Sequence, residues 1–367
     1  MGNCYQPSES TTNEIFMRSQ KRRYSVAIES YRVWQSFPND SPVLCLTHFK
    51  LDDQDLIAAG FKNSEIKIWN AYSKDEDKLQ LTLQSHFSAI NAITSLKLNS
   101  SFVRVPKTYL ISGDENGSIQ VNDITLTEPL VSKKSAFDCA VKSLIAIYLK
   151  NDPVVVCGGA NGKIKIFNLS LKQELMTLSS HEGIVSCLNS CFFNNNTYIL
   201  SGGYDRIVNL WNPLDANDKL VVSFKGHESW ITSVTSLILN GKEVIVSGSN
   251  DNKIKVWAAL CSEKLLKSWN PIGKDNKKLL MTLYGHQDCV TSLMTVKWNE
   301  FEMNKEFVVS ASLDGTIRIW DPLTDLTEIC SIKTFGVPVS CLTDYVFNDE
   351  VAIVSGCAND VSIWKKQ

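Results

Sequence analysis

The stretch Ser201–Trp211, SGGYDRIVNLW, contains the pattern that decides the fold. A run of small residues is followed by a polar turn, then by an alternating apolar segment, and finally by an aromatic residue. Alternation with a period of two is typical of a β-strand, and Gly, Asn and Asp cluster in turns. The stretch therefore predicts two short strands joined by a tight turn.

The same pattern recurs seven times along the chain. Its copies end, in order, at Trp69, Asn122, Phe167, Trp211, Trp257, Trp320 and Trp364. Successive ends are 44 to 63 residues apart, which fits a four-stranded repeat of about 40–45 residues with two insertions. Each copy is preceded by a β-branched, apolar segment and followed by a shorter one. The sequence predicts an all-β chain of seven four-stranded units.

These repeats resemble those of the WD-repeat family from Tyr31 to Trp364. The family's Gly-His pair stands here as Gly226-His227 and Gly285-His286, with Ser-His variants at His86 and His181. The resemblance implies a seven-bladed β-propeller over residues 31–367, preceded by a flexible arm over residues 1–30. In this family, connections between first and second strands, and between third and fourth strands, share the bottom face. The other connections share the top face.

The last unit ends at Trp364 and lacks a fourth strand of its own. Residues Tyr31–Phe37, YRVWQSF, precede the first unit as fourth strands precede the others. We expect this N-terminal strand to complete the last blade, as in the family, because ring closure removes an exposed sheet edge. Both ends of the ring, and the insertions near 99–108 and 258–277, are then expected on the bottom face.

In the family, a His, a second-strand Ser, a turn Asp and a third-strand Trp form a hydrogen-bonded tetrad. The resemblance implies three complete sets: His181, Ser201, Asp205 and Trp211; His227, Ser247, Asp251 and Trp257; and His286, Ser310, Asp314 and Trp320. The other blades depart from the pattern. Asn63, Asn116 and Asn161 replace the turn Asp, Phe137 and Phe335 stand where His would be, and Asn122 and Phe167 replace Trp.

A His-Ser-Asp set also suggests a hydrolase triad, but recurrence in three blades beside a core Trp favours a structural network. No nucleophile elbow, phosphate-binding loop or zinc-protease helix motif occurs. We expect no enzymatic activity, no cofactor and no metal site. A net charge of −2 without a basic run in the body argues against a nucleic-acid partner. Eleven scattered cysteines and no secretory signal favour a cytoplasmic protein with reduced thiols.

The N-terminal arm carries Gly2 and Cys4 and in this respect resembles the N-termini of dually acylated, membrane-anchored proteins. Gln6 stands where the myristoylation pattern has Ser or Thr, while a nearby basic cluster would supply a second membrane signal. Ser25 follows two arginines and resembles a basophilic kinase site. Two interpretations of the arm stay open: an acylated tether, or an unmodified flexible segment.

The family places the residue three past each His position around the mouth of the central channel, on the top face. With the residues that precede the turn Asp, this position predicts a partner-binding arc: Ile184, Tyr204, Trp230, Asn250, Cys289 and Leu313. Converging exposed aromatics are typical anchors of protein interfaces. The alternative is that Trp230 only caps its own blade.

The function that the fold favours is a non-catalytic scaffold or adaptor, a monomeric propeller that binds other proteins within a complex. It would be membrane-associated only through an acylated arm. Since a fold does not determine a function, a structural subunit of a large stable assembly remains the alternative, and an enzymatic propeller is a more distant third.

Overall fold

A computed structural model describes residues 31–51, 54–73, 78–84, 86–98, 107–124, 131–133, 135–193, 195–216, 219–239, 241–259, 278–298, 305–322, 328–347 and 350–366. The predicted modification sites Gly2, Cys4 and Ser25 lie outside these residues. So does the whole arm of residues 1–30, together with most of the two insertions. Every regular element in the described ranges is a β-strand.

The chain forms seven four-stranded antiparallel sheets, the blades of a propeller. Its first strand, β1 (Tyr31–Phe37), belongs to the last blade. Blade one contains β2 (Val43–Leu51), β3 (Gln54–Phe61), β4 (Ile66–Asn70) and β5 (Leu79–Leu83). Blade two contains β6 (Ile90–Leu98), β7 (Lys107–Asp114), β8 (Ile119–Asp123) and β9 (Val131–Lys133). Blade three contains β10 (Val141–Leu149), β11 (Asp152–Gly159), β12 (Lys163–Asn168) and β13 (Glu174–Ser179).

The remaining blades repeat this arrangement. Blade four contains β14 (Val185–Phe193), β15 (Asn196–Gly203), β16 (Ile207–Trp211) and β17 (Leu220–Lys225). Blade five contains β18 (Ile231–Leu239), β19 (Lys242–Ser249), β20 (Ile254–Ala258) and β21 (Leu279–Leu283). Blade six contains β22 (Val290–Trp298), β23 (Lys305–Ser312), β24 (Thr316–Trp320) and β25 (Glu328–Lys333). Blade seven contains β26 (Val339–Phe347), β27 (Glu350–Cys357) and β28 (Asp360–Lys366), with β1 as its fourth strand.

The core lies between blades rather than within one of them. Seven clusters of buried side chains each combine residues of neighbouring blades, so each blade is stabilised mainly by its neighbours. The small residues of the repeat permit this packing. A Cβ added to Gly202 would lie 2.4 Å from Ile231 of the next blade, and one added to Gly113 would lie 2.5 Å from Val141.

The predicted closure by the N-terminal strand is confirmed. Strand β1 pairs antiparallel with β28, with Tyr31 opposite Lys366 and Phe37 opposite Val361. The ring of Phe37 also stacks on Trp69 of blade one, with 5.2 Å between ring centroids. The last blade is thereby completed, and its outer strand leads directly into the first blade.

Strand direction defines the two faces of the ring. Because each sheet is an antiparallel meander, the connections after first and third strands lie at one end, the bottom, and the others lie at the top. Tyr31 and Lys366 pair at the bottom end, as the sequence predicted. The described ranges contain no helix long and apolar enough to cross a membrane.

Candidate partner-binding site

The predicted tetrad of blade four is assembled in the structure. Asp205 Oδ2 lies 2.8 Å from His181 Nδ1, and Ser201 Oγ lies 2.7 Å from His181 Nε2. Trp211 Nε1 donates to the same Ser201 Oγ at 2.8 Å. A carboxylate can only accept, so His181 donates from Nδ1 to Asp205, and its Nε2 then accepts a hydrogen bond from the hydroxyl of Ser201.

The structure brings together the other two predicted tetrads with the same geometry. In blade five, His227 lies 2.8 Å from both Asp251 and Ser247, and Trp257 donates to Ser247 at 2.8 Å. In blade six the corresponding distances from His286 are 2.9 Å to Asp314 and 2.7 Å to Ser310, and Trp320 donates to Ser310 at 2.8 Å.

Each tetrad serine is fully buried, at 0% exposure. Its hydroxyl accepts from tryptophan while it donates to histidine, so a substrate has no access to it. The tetrads join the top loop of one blade to its second and third strands. Their chemistry is therefore structural.

Burial and hydrogen bonding compete for the charge of these groups. Burial alone would raise the pKa of Asp251, but hydrogen bonds from His227 and from the backbone N–H groups of Glu228 and Lys253 hold this pKa at about 2. Burial lowers the pKa of His286 and outweighs the opposing effect of Asp314. The pairs are thus built for a carboxylate that accepts from an imidazole.

Blade two contains a tetrad-like network that the sequence analysis misplaced. Asp114, rather than Asn116, supplies the acceptor, because its Oδ2 lies 3.0 Å from His86 Nδ1, while His86 Nε2 lies 2.7 Å from Ser112 Oγ. Asp114 Oδ1 also accepts from the backbone N–H groups of Asn116 and Ser118, at 3.0 and 2.8 Å. Asp114, at the end of the second strand, therefore makes the hydrogen bonds to the histidine and to the turn that the turn Asp makes in the complete tetrads.

Phe137 occupies the histidine position of blade three, whereas Phe335 does not occupy that of blade seven. A Cβ added to Gly159 would meet the ring of Phe137, just as one added to Gly203 would meet His181. Phe335 is instead 89% exposed. In blade seven Ser355 Oγ accepts from Trp364 Nε1 at 2.8 Å and lies 3.3 Å from the Sγ of Cys357, so a thiol rather than the side chain of Phe335 contacts the serine.

Asn122 and Phe167, at the tryptophan position of blades two and three, are both fully buried. The two asparagines at the turn position of blades one and three keep the local role of the turn Asp. Asn63 Oδ1 accepts from Glu65 N at 3.3 Å, and Asn161 Oδ1 accepts from Lys163 N at 3.2 Å.

Two of the predicted partner-binding residues form a stacked aromatic pair on the top face. Tyr204 lies in the turn between β15 and β16, and Trp230 lies in the loop that leads into β18. Their rings are parallel, with 4.3 Å between centroids, and 37% of Tyr204 and 47% of Trp230 are exposed. The pair bridges blades four and five, so Trp230 covers a neighbouring blade rather than only its own.

Recurring backbone hydrogen bonds hold these top loops in place. The N–H of Tyr204 donates to the carbonyl of Ile184 at 2.9 Å, and that of Asn250 donates to the carbonyl of Trp230 at 2.9 Å. In blade six the N–H of Leu313 donates to the carbonyl of Cys289 at 3.0 Å. In blades four to six, the turn after the second strand is therefore fixed to the loop before the first strand.

The predicted arc is exposed at most of its positions. Leu313 is 42% exposed, Asn250 is exposed, and Ile184 is half-buried. Cys289 is only 6% exposed, and burial raises the pKa of its thiol to about 11. The side chain of Cys289 cannot contact a partner from this position, so its inclusion in the arc is corrected.

Three further aromatics at the top were not predicted as contacts. Phe87, Tyr284 and Phe335 are 87%, 69% and 89% exposed. Phe87 directly follows His86, and Tyr284 directly precedes Gly285. The available signal was a single large aromatic in an otherwise polar loop beside the histidine position. No cluster of metal-ligating side chains occurs in the ranges that the structure describes.

Comparison with known proteins agrees with this geometry. The family model "WD domain, G-beta repeat" matches residues 172–212, 218–258 and 277–321, which include all three complete tetrads. The chain thus contains WD repeats and folds as a seven-bladed β-propeller.

Several WD-repeat proteins are similar to the chain over parts of its length. Protein transport protein SEC13 of Chaetomium thermophilum is 33% identical over 109 residues, which cover 29% of this chain and 34% of that protein. A ribosome biogenesis protein WDR12 homolog of Nematostella vectensis is 26% identical over 171 residues, 47% of this chain and 35% of the relative. Nuclear distribution protein nudF of Aspergillus niger is 22% identical over 293 residues, 78% of this chain and 61% of the relative. The chain thus spans about a third of the transport protein's length.

Proposed function

We propose that the protein is a non-catalytic scaffold that binds other proteins through its top face, with the Tyr204–Trp230 pair as the main anchor. The supporting observation is the stacked, half-exposed pair at the junction of blades four and five. The names of similar proteins refer to protein transport, ribosome biogenesis and nuclear distribution. Such diverse roles on one fold fit a scaffold whose surface residues determine its partners.

The pair is suited to binding because its geometry exists before a partner arrives. Stacking fixes both rings, and the backbone bonds at Ile184 and Asn250 fix the loops that carry them. A partner therefore orders few side chains at this point, which reduces the entropic cost of association. Aromatic anchors of this kind contribute a large share of binding free energy.

Affinity measurements on a partner recovered with the tagged protein test this function. Trp230→Ala and Tyr204→Ala should each weaken binding by about 2 kcal/mol, or about 30-fold. Leu214, which is 37% exposed in a bottom connection, provides the matched control, and Leu214→Ala should leave affinity unchanged. Thermal melting of all three variants should remain close to that of the wild type. Wild-type affinity in both aromatic variants would refute the top-face site.

A permanent structural subunit is the second candidate, and apolar exposure on both faces favours it. Besides the top aromatics, Phe192 and Ile238 at the bottom are 63% and 48% exposed. A subunit covered on both faces would co-purify at fixed stoichiometry through high-salt washing. An adaptor would exchange its partner for added free partner within the same experiment.

We further propose a cytoplasmic location, with membrane association only if the N-terminal arm is acylated. The arm would act as a tether from the bottom face, where Tyr31 lies. Labelling of cells with a myristate analogue, comparing the wild type with Gly2→Ala, tests the tether. Label on the wild type and none on the variant would support it, while an unlabelled wild type would exclude it.

A further inference from the structure

A cavity of about 310 Å³ opens at the bottom of blade four. Its walls come from three blades, since Tyr148 lies on β10, Cys191 and Phe192 lie on β14, Ser236 lies on β18, and Glu243 lies on β19. This volume is at the lower end of the range of small-ligand sites, about 300–1,000 Å³. It suits a single side chain or a small molecule. We call this cavity the Glu243 pocket.

The carboxylate of Glu243 is only half satisfied within the pocket. Glu243 is 8% exposed. Its Oε1 accepts from Ser236 Oγ at 3.0 Å and from the backbone N–H of Phe192 at 3.2 Å. Its Oε2 is buried and has no hydrogen-bond partner among the described residues. One oxygen is therefore held in place, while the other lacks the hydrogen-bond partner that a buried carboxylate oxygen normally has.

The surroundings of this carboxylate are acidic. Burial raises the pKa of Glu243, and the neighbouring carboxylate of Glu306 adds to that effect against the hydrogen bonds of Ser236 and Phe192. Glu306 forms its own ion pair with Lys297, at 2.9 Å. No ion pair of Glu243 with a described cation is formed, so a buried negative charge lacks its counter-charge.

Two other buried carboxylates among the described residues have a cationic or imidazole partner. Asp55 lies 2.8 Å from His48, and Asp123 lies 2.7 Å from Lys107. Glu243 differs from both, although its burial is similar. A cation from outside the chain would supply the partner that Oε2 of Glu243 lacks.

The rim of the pocket indicates that the cation belongs to a protein. Phe192 lines the pocket and is 63% exposed. Ile238 is not one of the lining residues, but it lies opposite Glu243 on the neighbouring strand and is 48% exposed. A lysine or arginine side chain has an apolar stem that packs on such a rim and a charged end that reaches the carboxylate. An aromatic ring beside the entrance adds a cation–π contribution.

We propose that the Glu243 pocket binds a lysine or arginine side chain of a partner protein, with the charged group on Oε2 and the stem against Phe192. This site is separate from the top-face anchor and does not depend on it. It adds a specific basic contact on the opposite side of the ring.

Peptide retention tests this site. Immobilised nine-residue peptides with randomised flanks carry arginine, lysine or citrulline at the centre, because citrulline keeps the shape of arginine without its charge. Wild-type protein should be retained about tenfold more on the arginine and lysine sets than on citrulline. Glu243→Gln should reduce retention to the citrulline level, and Phe192→Ala should reduce it severalfold. Equal retention on citrulline, or unchanged retention of Glu243→Gln, would overturn the proposal.

Controls separate this result from misfolding and from the top-face function. Glu228 is an exposed top-face carboxylate paired with Lys253, so Glu228→Gln should bind like the wild type. Glu243→Gln should melt at or above the wild-type temperature, because an amide keeps the acceptor at Oε1 and removes a buried charge. Trp230→Ala should keep full peptide retention. If free agmatine binds more tightly than the best arginine peptides, the ligand is a small amine and the protein-docking assignment is wrong.

Discussion

The carboxylate of Asp114 provides a decisive test of how the structure builds blade two. Asp114→Ala removes the acceptor of His86 Nδ1 and of two backbone N–H groups, which lie 2.8–3.0 Å from its oxygens. Asp114 and His86 are 2% and 5% exposed, so the imidazole N–H loses its partner out of reach of water, whereas the backbone N–H of Asn116 can still donate to Ser88. An unsatisfied buried donor costs about 1–3 kcal/mol. We expect a loss of about 1–3 kcal/mol.

Asn116→Ala is the matched comparison, since the sequence pattern puts the tetrad acceptor at that residue. The structure shows its side chain exposed, with only its backbone N–H bonded to the network. We expect a change within about 0.5 kcal/mol. Urea unfolding, followed by tryptophan fluorescence, measures both changes in the free energy of unfolding. They are obtained from the shifts in the urea midpoint, provided that the dependence of the free energy on urea concentration is the same for all variants. If Asn116→Ala costs as much as Asp114→Ala, the assignment of the acceptor to Asp114 is refuted.

Three more outcomes follow from the described contacts. Deletion of residues 1–28 should leave the melting temperature unchanged, whereas deletion of 1–40 removes β1 and should unfold the last blade; identical melting would contradict the closure. Folding lowers the pKa of His286, so the contribution of this group to stability is complete above about pH 6.5 and is lost as pH falls through its folded pKa. Folding also lowers the pKa of Asp251, whose contribution is present above about pH 4 and is lost toward pH 2. The urea midpoint should therefore fall between pH 7.5 and 3, first through His286 and then through Asp251. Cys341 is 9% exposed, and burial raises the pKa of its thiol to about 12. A thiol reagent at pH 8 should therefore label this residue only in urea, and fast labelling of Cys341 in the native protein would be inconsistent with its burial.

The sequence predicted the ring because its period and its turns are local signals. Each copy carries small residues, a turn and an alternating strand, and the packing at Gly202 shows why the small residues recur. The three complete tetrads could also be located, because their spacing is regular. The acceptor of blade two could not be located in this way, because Asp114, two positions before Asn116, contacts His86 from the end of the second strand. The repeat pattern assigns the acceptor by its position in the sequence, whereas the hydrogen bond forms with whichever oxygen lies close enough to the imidazole.

Exposure of loop residues was harder to predict than their position. Cys289 and Trp230 occupy equivalent places after a histidine, yet one is 6% and the other 47% exposed. A small side chain there is covered by its surroundings, whereas an indole projects beyond them and stacks on a neighbour. The Glu243 pocket escapes sequence reasoning for another reason. Its lining residues lie between Ile147 and Glu243 in the sequence, and only the packing of three successive blades brings them together.

The two faces of the ring differ because the tetrads act on one of them. At the top, each complete tetrad and each backbone bond such as Tyr204 N to Ile184 O fixes a turn to a neighbouring loop. All connections there are short, since a longer one would pull the turn away from its histidine. The longest connection, between Ala258 and Leu279, lies at the bottom, where no tetrad restricts it. A rigid top suits an aromatic anchor that must be ordered before binding. The bottom permits variation in length and composition around a fixed carboxylate, so the two sites that we propose, one on each face, could change independently of each other.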